Sequence, residues 1–216
     1  IELLDPTPAL LGNEAEVLAT GTTDANGDFE LTGIETDSSA GLLLAVQDCE
    51  DAAADTVLAT ANGIATADYA DLGDGDTLAD MVALSINVTM EAGIDLSLAL
   101  TPYSADAAYA PIRTAGILIG ATRDGATSAP IGGVTIDCTI GTCPYIYYMD
   151  TDPTDGMFTT GATLNTATEA AAGALFMAPA GPIGNWEADD GGTNQWEDQL
   201  GGSQPGYAVI IALYTE

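Results

Sequence analysis

Asp71, Asp74, Asp76 and Asp80 crowd one short stretch, with Gly73 and Gly75 set among them. Ca²⁺ is a hard cation that takes oxygen ligands, and glycine lets closely spaced carboxylates converge on one point. The same logic marks Asp150, Asp152 and Asp155, which precede Gly156. These seven aspartates are the candidate metal ligands, with Ca²⁺ as the expected ion. A third acidic cluster, Glu187, Asp189, Asp190, Glu197 and Asp198, surrounds Gly191 and Gly192. Asp24, Asn26 and Asp28, followed by Glu30 and Glu35, imitate the start of an EF-hand loop. Phe29, however, stands where that loop needs glycine, so the segment reads better as a hairpin turn.

Paired carboxylates also hydrolyse glycosidic bonds. With 33 acidic side chains, some pair lies at a suitable distance by chance, and aromatic residues at 6% are few for a sugar cleft. Histidine and lysine are both absent, which excludes a histidine base and a lysine nucleophile. No catalytic residue is assigned, and the chain is expected not to be an enzyme.

Charge narrows the partners further. Arg113 and Arg123 are the only cations in 216 residues, and the formal net charge is −31. A basic face for phosphate neutralisation is missing, so nucleic acid is excluded, as is attraction to an anionic membrane surface. Such a chain repels itself unless salt or bound cations screen it. Yet 47% of its residues are hydrophobic, far more than a disordered acidic chain carries. A folded protein of saline surroundings is the expectation.

Cys138 and Cys143 flank a short segment with Gly141 where a hairpin would turn. Facing hairpin cysteines meet disulfide geometry, so they are expected to pair. A structural zinc site wants four Cys or His ligands, and only three thiols exist. Cys49 is left over, as a buried free thiol or the partner of a cysteine elsewhere. Trp186 and Trp196 bracket the acidic, glycine-rich loop. Exposed together they would stack on sugar rings; buried, they close a core.

The elements that must hold these residues are mostly strands: short apolar runs bounded by Gly, Asp, Asn and Pro. The runs are 14–19, 28–31, 42–46, 56–61, 115–122, 133–138, 145–149, 173–178 and the long 206–215. Asn26-Gly27 favours a tight turn, and Phe29 and Leu31 alternate with Asp28 and Glu30 as in a half-buried strand. Asp76-Thr77 offers a helix cap before Leu78, Met81, Val82 and Ser85, and Ile86, Met90 and Ile94 also share helical spacing, whereas Val82 to Val88 alternates as a strand would, so helix and strand both stand here. Thr101 to Pro111, with prolines near both ends, reads as a linker.

Gly120-Ala-Thr-Arg-Asp-Gly-Ala-Thr-Ser-Ala-Pro130-Ile-Gly-Gly-Val134 resembles the opening of the carboxypeptidase regulatory-like domain. Thr23-Asp24-Ala25-Asn26-Gly27-Asp28-Phe29 is similar to the closing turn of that family, T-D-x-x-G-x-F. The second copy departs from it, with Glu169-Ala-Ala-Ala-Gly173 in place of the turn. The resemblance implies a transthyretin-like β-sandwich, an accessory or structural role, and no enzyme.

The expected architecture is therefore all-β: two tandem β-sandwich domains, 1–100 and 112–216, joined by a linker at 101–111, with a short helix near the end of the first. No run reaches the roughly 18–20 apolar residues of a membrane helix. The chain opens on Ile1 without a basic-then-apolar leader and reads as mature, processed or trimmed. The expected function is a non-catalytic secreted or cell-surface structural protein, a filament subunit assembled by strand donation from Ile1-Glu2-Leu3-Leu4 with cation support. The alternative is a carbohydrate- or calcium-binding accessory module of a larger surface protein.

Overall fold

Leu42-Leu-Leu-Ala-Val46 alternates buried and half-buried side chains because successive strand residues point to opposite faces. It forms β3 (Leu42–Val46), and the apolar opening residues form β1 (Glu2–Asp5), with β2 (Glu16–Thr20) and β4 (Val57–Ile64) beside them. The computed structural model describes residues 1–10, 13, 15–34, 41–48, 56–64, 66–79, 81–139, 143–152, 156–160 and 163–216. Strand accounts for 35% and helix for 14%, so the protein is mostly β. It divides into two compact units, Ile1–Ile86 and Asn87–Glu216.

The first unit is built on an antiparallel sheet in the order β2-β1-β3-β4. Leu3 lies opposite Ala19 on one side and Leu44 on the other. Leu3, Leu42, Leu44, Ile64 and Tyr69 form its buried cluster, against which Phe29, Leu31, Leu78 and Met81 pack. The alternation expected at 28–31 is present in burial, but Phe29 and Leu31 lie on an irregular segment and not on a strand. Gly27 supplies the positive φ, 90°, that the turn at 24–28 requires. Residues 76–79 and 81–85, expected to be helical, are irregular too. Asn62 explains part of this. Its Oδ1 accepts from the Leu84 amide at 3.0 Å, and its Nδ2 donates to the carbonyls of Leu44 and Leu84, each at 3.1 Å. Those bonds hold Leu84 beside β4 through both its amide and its carbonyl. A sandwich was expected here; the described residues show one sheet covered by irregular chain.

β5 (Ile86–Asn87) closes this stretch and the helix α2 (Val88–Leu98) follows α1 (Thr7–Leu10) in the helix series. Asn87 caps α2 by accepting from the Met90 amide at 2.9 Å. Met90 and Ile94 lie on this helix, but Ile86 lies on β5, and the cap is Asn87, about three turns beyond Asp76.

Among its described residues the second unit contains α2, the turn Pro102–Ala105, α3 (Ile112–Ala115) and the strands β6 (Ile117–Arg123), β7 (Thr135–Cys138), β8 (Tyr147–Tyr148), β9 (Thr159–Thr160), β10 (Thr163–Leu164), β11 (Leu175–Pro179), β12 (Gly184–Asp189), β13 (Gln199–Gly201) and β14 (Tyr207–Tyr214). Residues 101–111, read as a linker, fall inside this unit. One sheet runs β14-β6-β11-β8 and a second runs β13-β12-β7. β14 and β6 are parallel, Ala208 opposite Ile117 through Tyr214 opposite Arg123, and β6 and β11 are antiparallel. The sheets face one another through the Phe176 and Trp186 rings, 6.2 Å between centroids, which is a sandwich-like arrangement. β12 was missed in the sequence, where its residues looked like acidic loop; Gly184 and Trp186 point inward while Asn185 and Glu187 point out.

Candidate functional site

The acidic clusters resolve into turns that bind their own backbone. In the first, the Gly73 amide donates to Asp76 Oδ2 at 2.7 Å, and Asp71, Asp74 and Asp76 are all exposed. In the second, Asp150 Oδ1 accepts from the Asp152 amide at 2.5 Å and Asp150 Oδ2 from Asn165 Nδ2 at 3.3 Å. Asp80 and Asp155 lie outside the described residues, as does Cys49. Among the described residues, no three His, Cys, Asp or Glu side chains come together to hold a metal ion.

The same arrangement recurs. Asp24 Oδ1 accepts from the amides of Asn26 and Asp28 at 2.8 and 3.0 Å. Asp124 Oδ1 accepts from the Thr127 hydroxyl at 2.6 Å and the Thr127 amide at 2.7 Å. Asp190 Oδ1 accepts from the amides of Thr193 and Asn194, at 2.8 and 3.1 Å. Hydrogen bonds to the ionised form favour it. The amides of Asn26 and Asp28 accordingly hold Asp24 below the ordinary aspartate range, and the hydroxyl and amide of Thr127 do so for Asp124.

Cys138 and Cys143 are bonded to each other, with Cα atoms 6.1 Å apart. Trp186, directly opposite Cys138 in the β12–β7 ladder, is fully buried, so the pair of tryptophans makes no exposed sugar-stacking face. Its indole nitrogen is buried without a hydrogen-bond partner.

Sequence spacing gave no hint of a concave feature that gathers chemical groups among the described residues. It is a cleft of about 290 Å³ in the second unit, lined among others by Tyr103, Asp106, Tyr145, Pro179, Pro182 and Trp186. Three separate segments build it. The turn after α2 supplies Tyr103, whose amide donates to the Tyr147 hydroxyl at 3.1 Å, and Asp106 just beyond. The approach to β8 supplies Tyr145, whose ring lies 5.2 Å from that of Tyr103 and whose hydroxyl donates to Asp106 Oδ2 at 2.5 Å. The end of β11 supplies Pro179, followed by Ala180 at φ 51°, a left-handed conformation uncommon outside glycine. The Tyr145 hydroxyl and the Ala108 amide, which reaches Asp106 Oδ1 at 2.8 Å, hold the Asp106 carboxyl below its usual range. An ionised acceptor beside aromatic and proline walls can bind a positive or hydroxyl-rich group.

Comparison with protein-family models, with curated proteins and with solved structures found no match. Function is read from the chain itself.

Proposed function

We propose that the chain is a non-catalytic structural module of a secreted or cell-surface protein. The observation that carries this reading is how the carboxylates are used. Asp24, Asp124 and Asp190 each close their own loop by accepting from amides two to four residues on. Loops fixed this way lose little order in brine, where screening removes the mutual repulsion of the remaining charges but leaves short hydrogen bonds in place. The Cys138–Cys143 bond fits an oxidising compartment.

Self-association is part of the proposal, with Ca²⁺ or salt screening the charge. β1 lies between β2 and β3, paired to both. Donation of this segment to a neighbour therefore means exchange, in which each copy regains in its neighbour the ladder it gives up. Glu2 and Ala45 are opposite each other in that ladder. The variant Glu2→Cys/Ala45→Cys, oxidised, locks β1 into its own sheet. Sedimentation velocity at high salt is expected to show a monomer for the locked form and larger species for the wild type. Equal assembly of both defeats strand exchange.

A further inference from the structure

We propose that the cleft bounded by Tyr103, Asp106, Tyr145 and Pro179 binds a small organic cation, an alkylated ammonium group, with Asp106 as counter-ion and Tyr145 as aromatic wall. This goes beyond the structural role and does not depend on it.

Four features carry the assignment. The cleft is about 290 Å³, just under the lower end of the range for small-molecule sites, which restricts it to a small ligand. Its one carboxylate, Asp106, is anchored on both oxygens by Tyr145 and the Ala108 amide, so its charge sits at a fixed point. Its walls are largely aromatic, proline and alanine side chains, which suit a cation sheathed in methyl groups better than a hydrated metal ion. Neither Arg113 nor Arg123 lines it. An anionic ligand would meet no positive group there, and the net charge of −31 would repel it, whereas the same field draws cations in. Trp186 and Tyr103 are closed over, 0% and 1% exposed, and back the wall, while Tyr145, which also lines the cleft, is half-buried.

Trp186 lines the cleft and Trp196 does not, so intrinsic fluorescence of the full chain carrying Trp196→Phe reports on it. Tetramethylammonium chloride is titrated against sodium chloride at constant ionic strength, with tert-butanol as the neutral isostere and methyl β-glucopyranoside as a neutral polyol. The expected result is a saturable change with tetramethylammonium alone, weakened at least tenfold by Asp106→Asn and by Tyr145→Leu, and retained in Asp190→Asn. A response matched by sodium or by tert-butanol overturns the proposal. So does saturation by the glucoside in place of the ammonium ion, or an affinity indifferent to Asp106→Asn. Thermal melts establish that each variant is folded. Should Asp106→Asn fail to fold, the Tyr145 pair decides: Tyr145→Phe, which keeps the ring, must retain binding that Tyr145→Leu loses.

Discussion

Arg113 grips Glu91 with two nitrogens, Nε to Oε1 at 2.8 Å and Nη2 to Oε2 at 2.6 Å. Glu91 is 8% exposed, on the inner face of α2, and Arg113 lies on α3 at the entrance to β6. One of only two cations in the chain thus neutralises a buried carboxylate and ties one helix to the other. Next to it, Asp95 Oδ1 accepts from the Ile112 amide at 2.9 Å, a second tie between the same elements. Removing the arginine strands a buried charge. Arg113→Ala is expected to cost about 1–3 kcal/mol in urea unfolding, toward the lower end because the arginine is itself 37% exposed. Glu91→Leu/Arg113→Leu is expected to recover part of that loss, since no unpaired carboxylate remains. A double variant as unstable as Arg113→Ala would show that the pair is not what holds the helices.

The Phe176 ring occupies the space above Gly120, its direct partner across β6 and β11. A Cβ placed on Gly120 would overlap Cζ and Cε1 of that ring. Gly120→Ala is therefore expected to destabilise by about 1–3 kcal/mol. Shrinking the ring in Gly120→Ala/Phe176→Leu returns some of it. Additive losses in thermal melts would contradict the contact.

Acid sensitivity follows from the turn carboxylates. Asp24, Asp106 and Asp124 have folded pKa values depressed below the ordinary one. The unfolded chain therefore takes up protons first as pH falls, and the stability these groups contribute, complete above about pH 4, is lost below it. Asp95 runs the other way. Burial raises it, so its protonation favours the folded state and offsets a part of the loss. Urea midpoints between pH 2 and 7 are expected to fall on the acid side, with a shallower fall in Asp124→Asn, which keeps an acceptor oxygen but does not titrate. An Asp124→Asn curve parallel to wild type removes that carboxylate from the account.

The disulfide is checked by mass. Alkylation of the denatured, unreduced chain is expected to modify one cysteine, Cys49, and reduction to free Cys138 and Cys143. Three modified cysteines without reductant would contradict the bond. Closing so short a loop constrains the unfolded chain little, so reduction is expected to cost about 2 kcal/mol.

Strands built on unbroken apolar runs were legible, because burial on both faces or alternate faces leaves its mark on composition: Leu42–Val46 matches in full, and Tyr207–Tyr214 differs only at its ends. β12 was not, since two acidic residues and a glycine hid the inward alternation of Gly184 and Trp186. Residues 76–85 carry helical spacing and, from Val82, strand-like alternation as well; the Asn62 side chain binds Leu84, a tertiary bond that neither pattern reveals. The bonds that Asp76 and Asp150 accept from their own turns were not legible, because spacing alone cannot say whether a carboxylate turns outward or onto its own amides. The Cys138–Cys143 pairing was readable because hairpin neighbours are close in sequence. The cleft was not, because Asp106, Tyr145 and Pro179 meet only after three separate segments fold.

Association of the chain once its charge is screened is checked by light scattering. The mass of the full chain is measured from low salt to molar sodium chloride, and again with added Ca²⁺ at matched ionic strength. At a Debye length of about 3 Å the repulsion between copies of net charge −31 is largely gone, and a mass well above the 21.8 kDa monomer is predicted. A 21.8 kDa particle at every salt and calcium concentration would contradict it.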